Sequence, residues 1–526
     1  MPQPDNLKIE KEELEQPELT PVTPKRSSAQ GAVTLMVGTL FSRITGFLRQ
    51  SLLNQLFTPE ITDAFLVALR VPNLFRELLA EGALTNSFVP IYNKLPKAEA
   101  QRLAGALLGL LILVNSLLLV AAYAAAPYIV DLLLLSDGSV DRDLTLRLTR
   151  IVFPFLASIS LSAWAMGILN AEERFFAPAW APVALNVVAI SLMLLYPNWA
   201  ETLAWGFVLG GLAQFLVQLP TLVRGRFVRG LGKLWHPALA TILLLIVPSV
   251  FTTSGRQVLN LLTANLLNVL PKGSVTAFAN AELFLSLALG LFSISPALSY
   301  YSRLSTYAEA PDDFRQTLLG GLRFITFLTV PAGLLLSILA MPVNRVVFDW
   351  LSVLGRSGAN EAVLVYSGLT LIPLGLAIFP IGLNNLLLRT FYIRTQVRTL
   401  IGITLVFLSL QGVLYFILSL YLGIEGLSWG TVIAAWLQFI VLLNLVSRRE
   451  GLELSSFLSY SLKVWFAACL AAAVSAWGLN FFVATNWWQS LFALLGGGAL
   501  FGFSYLGTAL ALRLPELEQF LKRFRS

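Results

Sequence analysis

One cysteine, Cys469, and one histidine, His236, are all that this 526-residue chain holds of either type. A lone cysteine cannot close an intrachain disulfide. With a single histidine beside it, a His/Cys metal centre or a histidine-based triad has almost no raw material. Charge is scarce as well: Asp, Glu, Lys and Arg make up 12% of the residues, against about 25% in soluble domains. Apolar residues fill the gap, at 56% of the chain. The expected fold is all-α and polytopic, because helices satisfy their own backbone inside a bilayer. Within it Cys469 reads as an apolar core residue. His236, at the start of an apolar run, reads as interfacial.

A spanning helix needs about 20 apolar residues. About fourteen segments qualify, near 31–56, 61–93, 103–135, 144–171, 178–196, 201–223, 237–269, 275–302, 316–348, 361–388, 397–421, 424–447, 457–482 and 488–512; they are numbered spans 1 to 14. Pro72 interrupts span 2, Pro248 and Arg256 fall in span 7, and Pro331 and Pro342 in span 9. Residues 1–29, rich in Pro, Glu, Gln and Lys, read as a disordered tail rather than a cleaved signal.

Basic residues crowd alternate loops. Lys94, Lys97, Arg174, Arg224, Arg226, Arg303, Arg394, Arg448, Arg449 and Lys522 fall in one set, whereas loops 57–61, 197–200, 422–423 and 483–487 of the other set have no Lys or Arg. The positive-inside rule then puts the cation-rich loops and both termini in the cytoplasm. Most loops are short, which leaves no room for a soluble catalytic domain. Function is expected within the bundle.

Transporters are often built from repeats. Arg49-Gln50-Ser51-Leu52-Leu53-Asn54 is echoed by Arg256-Gln257-Val258-Leu259-Asn260, and Thr62-Asp63-Ala64-Phe65 by Val275-Thr276-Ala277-Phe278. The expected organisation is an N-terminal lobe of spans 1–6 over 30–224 and a C-terminal lobe of spans 7–12 over 225–450. A helix pair with a short basic tail follows over 451–526.

The most unusual stretch is charged: Ser42-Arg43 to Arg49, then Asp63, then Arg70-Val71-Pro72-Asn73-Leu74-Phe75-Arg76-Glu77 to Glu81. An ionised side chain at membrane depth costs at least roughly 2.5–3.5 kcal/mol. Several together point to a polar cavity with net positive lining, suited to an anion. Asp63, Arg70 and Glu77 are spaced by seven and share a face of an ideal helix, with Glu81 following at i+4. Pro72 is expected to kink that helix and bring Arg76 to the cavity. Arg43 and Arg49 share a face only if span 1 bends near Gly46. Structural pairing of Asp63 with Arg43 or Arg49, and of Glu77 or Glu81 with Arg76, is the competing reading. Arg256 and Glu282 in the second half are further candidates, as cavity groups or as a pair. No metal site is expected.

These residues closely resemble the MurJ (MviN) family of lipid II flippases, in the multidrug/oligosaccharidyl-lipid/polysaccharide exporter superfamily. The likeness is carried by Ser42-Arg43 to Arg49, Thr62-Asp63-Ala64-Phe65, Pro72-Asn73-Leu74-Phe75-Arg76 to Pro90, and Asn170 to Asn186. The resemblance implies fourteen helices in two lobes around a cationic cavity, with Arg43, Arg49, Asp63 and Arg76 as substrate-binding positions. Arg70, Glu77, Glu81, Arg256 and Glu282 stay candidates for additional cavity groups on the charge and spacing given above, not on the resemblance. It implies a groove for a polyprenyl tail along spans 13 and 14. The implied protein is not an enzyme and needs no cofactor. It is a flippase of the bacterial inner membrane that carries the undecaprenyl-diphosphate-linked disaccharide pentapeptide outward by alternating access, for peptidoglycan synthesis.

Membrane lipids are expected partners, cell-wall synthesis and division proteins are candidate ones, and nucleic acid is not. Membrane potential or a monovalent cation is a candidate energy source, with no ion site assigned. The sequence departs from the family at Leu283, where an arginine is common, and at Gln396 and Leu400. Arg256 is a candidate replacement for the missing charge. The alternatives are a flippase for another polyprenyl-linked oligosaccharide or a cation-coupled exporter of the same superfamily. An exporter would favour acids and aromatics over arginines. A polyprenyl-phosphate enzyme would need an acidic or histidine cluster at one membrane face.

Overall fold

The computed structural model describes residues 26–79, 83–197, 199–230, 234–356, 358–481 and 485–517, without side chains at 26–32, 75–79, 83–86, 245–254 and 397. The expected disordered tail falls largely outside the described residues, and the helix of span 1 starts at Arg26. All fourteen expected spans are helical, and there is no strand among the described residues. Among the described residues, eleven helices are long and apolar enough to cross a bilayer, those of spans 3–6 and 8–14. Spans 1 and 2 carry the charged stretch.

Proline decides where the spans break. A proline at position i has no N–H to give the carbonyl at i−4, and its ring crowds that carbonyl. Span 2 divides into Pro59–Ala68 and Arg70–Leu79, and Ala68 lies four residues before Pro72. Span 6 divides after Leu216, four before Pro220. Span 9 divides after Ile338, four before Pro342. Pro331 does not break span 9, and the carbonyl it deprives, that of Phe327, accepts from the Tyr505 hydroxyl of span 14 at 3.3 Å. Span 8 runs as Ser274–Leu289, a π-helical turn Gly290–Ile294, and Ser295–Thr306, with Pro296 at the restart. Ser295 Oγ donates to the Gly290 carbonyl at 3.0 Å across the widened turn.

Two large apolar cores hold the bundle. One joins Leu53 and Phe65 to Phe155, Phe207, Phe278 and Leu427, from spans 1, 2, 4, 6, 8 and 12. The other ties Phe314, Leu386 and Phe391 to Val464, Ala468 and Phe501, seating spans 13 and 14 against spans 9, 10 and 12. Span 14 comes close at Gly497, where an added Cβ would stand 2.9 Å from Leu339 and 3.0 Å from Leu479. Cys469 is exposed on span 13, not in the core. In a bilayer the protein-facing and lipid-facing sides of a helix are both apolar, so its chemistry did not distinguish them. His236 does sit at a helix start: its Nδ1 accepts from Ala238 N and its Nε2 lies 3.2 Å from Glu99.

Candidate functional site

A cavity of about 600 Å³ lies among spans 1, 2, 4, 5, 6 and 8, lined by Arg43, Arg49, Gln50, Asn73, Asn186, Gln214 and Ser286 among others. Both predicted arginines of span 1 reach it from one uninterrupted helix, Arg26–Leu56. No break at Gly46 is needed, because long arginine side chains span the angle between their Cα positions.

Arg49 is held rigidly. Its Nη1 donates to Asn186 Oδ1 at 2.7 Å, and its guanidinium carbon sits 4.7 Å from the centre of the Phe207 ring. Asn186 Nδ2 in turn donates to the Ser42 carbonyl at 3.2 Å and to Thr45 Oγ1 at 3.0 Å. Spans 1, 5 and 6 thus fix the plane of one fork. Arg43 is exposed to the cavity and has no hydrogen bond or ion pair among the described residues. Its guanidinium rests on the bare Cα of Gly290, where an added Cβ would lie 2.6 Å from Nη1. The π turn of span 8 supplies that seat.

Asp63 does not orient these arginines. It is buried, and its carboxylate accepts from Gly273 N at 2.6 Å, Thr276 N at 2.8 Å and Thr276 Oγ1 at 2.6 Å. The reason is local. The first turn of a helix leaves backbone N–H groups without partners. The residue preceding span 8 is Gly273, at φ 89°, with no side chain to cap them. Asp63 caps span 8 from span 2, where the helix dipole also favours an anion. Thr62 meets Thr276, the counterpart of Asp63 in the expected repeat, at 2.7 Å.

Around this cap lies an amide network that the sequence reading missed. Asn280 Oδ1 accepts from Gln50 Nε2 at 2.9 Å and Asn54 Nδ2 at 3.0 Å, and its Nδ2 donates to Asn54 Oδ1 at 2.8 Å and Ser367 Oγ at 3.1 Å. Ser51 donates to the Val347 carbonyl and accepts from Trp350 Nε1, and Gln55 Oε1 accepts from Leu351 N. Among the described residues, all the hydrogen bonds from spans 1 and 2 to residues 273–367 gather at this end. It is the end whose loops are poor in Lys and Arg.

Arg70 also leaves the predicted cavity face. The break before it ends the continuous helix on which a seven-residue spacing would align it with Asp63, and its Nη1 donates to the Asn260 carbonyl of span 7 at 2.7 Å. The side chains of Arg76 and Glu77, and all of Glu81, lie outside the described residues. Arg256 and Glu282 line a second cavity of about 460 Å³ among spans 7, 8, 10, 11 and 12, which shares Ser286 with the first. Its wall carries a hydroxyl–amide chain in which Gln411 Nε2 donates to Tyr415 Oη at 2.8 Å, and Tyr415 Oη meets Thr431 Oγ1 at 2.7 Å. Asn384 and Asn385 act as helix-packing groups, bonding to Ala435 and Gln438 and to Ser293. No cluster of three metal-ligating side chains occurs among the described residues.

Comparison with known proteins places this arrangement. The family model described as lipid II flippase MurJ matches residues 53–496. The chain belongs to that family. A lipid II flippase MurJ of Burkholderia cenocepacia is 31% identical over 467 residues, covering 84% of this chain and 89% of the relative. A probable lipid II flippase MurJ of Bdellovibrio bacteriovorus is 30% identical over 455 residues, covering 84% and 86%. The fold matches a solved lipid II flippase MurJ in an inward closed conformation at TM-score 0.76 and 22% identity, over 91% of this chain and 99% of that one. An inward-facing multidrug-resistance transporter of the MATE family, in the MOP superfamily, matches at TM-score 0.65 and 15% identity, over 81% of this chain and 98% of that one. The chain is thus a multi-pass membrane protein of the MurJ family, with the helical fold expected of it.

Proposed function

We propose that this chain is a lipid II flippase, moving the undecaprenyl-diphosphate-linked disaccharide pentapeptide from the cytoplasmic to the outer leaflet of a bacterial inner membrane. The observation that carries the reading is the presentation of Arg43 and Arg49 in one intramembrane cavity, in a chain of this family. A diphosphate is the matching chemistry. Arginine forks make bidentate, charge-assisted bonds to phosphate oxygens. Arg49 is pre-set by Asn186 and Phe207, while Arg43 keeps its donors free for the substrate.

The mechanism follows from which end is tied shut. With Asp63 capping span 8 and the Asn280 network in place, the head group enters from the cation-rich end, which the loop charges put at the cytoplasm. Release outward requires the cap and network to open while the opposite end closes. Lobes of spans 1–6 and 7–12 would rock about the cavity, and the polyprenyl tail would stay in lipid beside spans 13 and 14. No catalysis and no cofactor are invoked. Membrane potential or a monovalent cation remains the proposed drive, and cell-wall synthesis and division proteins the proposed partners.

The substrate is tested with the full chain in lipid nanodiscs, titrated with lipid II and with a polyprenyl-diphosphate oligosaccharide that lacks the stem peptide. The reading expects preference for lipid II. Preference for the second ligand would favour the alternative, a flippase for another glycolipid. Gly290→Ala tests the seat of Arg43. The added Cβ would stand 2.6 Å from the guanidinium and displace it, so lipid II affinity falls toward that of Arg43→Ala. The melting temperature should change little, since the three atoms nearest that Cβ all belong to the Arg43 guanidinium.

A further inference from the structure

A second cationic pocket lies apart from both cavities, between the helix pair and span 9. Arg323 of span 9, Ser456, Ser459, Tyr460 and Lys463 of span 13, and Arg513 just past span 14 line a space of about 260 Å³. Arg323 lies over the Tyr460 ring, 5.6 Å from its centre, and donates from Nη2 to Ser456 Oγ at 2.6 Å. Its Nε is buried and has no acceptor among the described residues. None of Arg323, Lys463 and Arg513 forms an ion pair among the described residues. The neighbouring carboxylate, Glu516, is instead engaged by the Tyr460 hydroxyl at 2.6 Å.

Arg513 has φ 51°, in the left-handed region that ends many helices and ordinarily calls for glycine. A buried donor without an acceptor, two serine hydroxyls and three cations outside any ion pair among the described residues make a donor set that suits a phosphate.

The surroundings identify what carries the phosphate. Ser459, Leu462, Lys463, Phe466 and Leu470 follow helical spacing along one side of span 13. Beyond the polar residues that side is apolar, with Leu462 70% and Phe466 61% exposed. A ligand with its charge at the pocket and its hydrocarbon along this strip is an amphipath. We propose that the pocket binds the phosphate of an anionic phospholipid head group, with the acyl chains lying past Leu462 and Phe466. Ser456 near the start of span 13 and Arg513 just past span 14 put the pocket at the cation-rich end, which on the orientation proposed above is the cytoplasmic leaflet; the binding itself does not depend on transport.

Native mass spectrometry of the purified full chain tests this with phosphatidylglycerol, phosphatidylcholine and inorganic phosphate as separate probes. Phosphatidylglycerol should be retained over phosphatidylcholine, whose choline cancels the phosphate charge. Lys463→Gln and Arg513→Gln, at exposed side chains, should each weaken retention about fivefold, with unchanged melting temperature in lipid-free detergent. Arg323→Gln should weaken it further by removing the buried donor. Equal retention of the two lipids, insensitive to all three variants, would overturn the proposal. Binding of inorganic phosphate with no preference between the lipids would overturn the lipid assignment in favour of a soluble anion.

Discussion

Arg43→Ala and Arg49→Ala each lower the affinity of the full chain for lipid II by about 10- to 100-fold, the loss expected when a hydrogen-bonded charge of roughly 1.5–3 kcal/mol is removed. The two losses have different origins. Arg43 rests on Gly290 without a hydrogen-bonding partner, so its removal costs the free protein little and the loss is almost wholly one of binding. Arg49 also braces Asn186 and covers Phe207, so Arg49→Ala additionally loosens spans 1, 5 and 6. Arg49→Lys separates the effects. A lysine keeps the charge but has neither the planar fork nor its stacking on the ring, so affinity recovers only in part. Titrations in nanodiscs at two salt concentrations measure this. Equal binding by intact chain and both variants would remove the diphosphate from the cavity.

Asp63→Ala opens the cation-poor end of the bundle. The substitution leaves Gly273 N, Thr276 N and the Thr276 hydroxyl without their buried acceptor. Leaving such groups unsatisfied costs about 1–3 kcal/mol, enough to move the balance between closed and open forms about 5- to 150-fold. Asp63→Asn keeps one acceptor oxygen and lies between. The readout is the distance between spin labels at Tyr196→Cys and Leu354→Cys in a Cys469→Ser background, both introduced sites being exposed near that end. Asp63→Ala should lengthen and broaden the distribution. A distribution identical to that of the parent would mean that the cap does not hold this end shut.

Much of the fold was legible because bilayer physics is blunt. A run of about 20 apolar residues is seldom anything but a spanning helix. Of the three spans flagged for proline or charge, spans 2 and 9 do divide and span 7 runs on as one helix, whereas span 6 divides before Pro220 without having been flagged. Pro72 and Pro342 announced their breaks four residues ahead, whereas Pro331 did not, since Tyr505 rescues the carbonyl from a distant span. Arg43 and Arg49 were legible through the cost of charge in the membrane. The same argument misplaced Asp63. A buried carboxylate needs a positive partner, but a helix N-terminus meets that need as well as a guanidinium does, and Gly273 is 210 residues away. Gln50, Asn54, Asn186 and Asn280 gave no comparable signal. Neutral amides are cheap to bury when paired, and their pairing is a property of the fold. Arg70 was assigned by periodicity across a helix that the fold interrupts at Leu69.

The most direct measurement is the accessibility of lipid II at the outer membrane face in cells depleted of their own flippase. It compares the intact chain with Arg43→Ala and Arg49→Ala at matched membrane abundance. The intact chain should restore outward lipid II, and neither variant should. An intact chain that reaches the membrane and restores nothing, or variants that restore as well as it does, would contradict a flippase working through this cationic cavity.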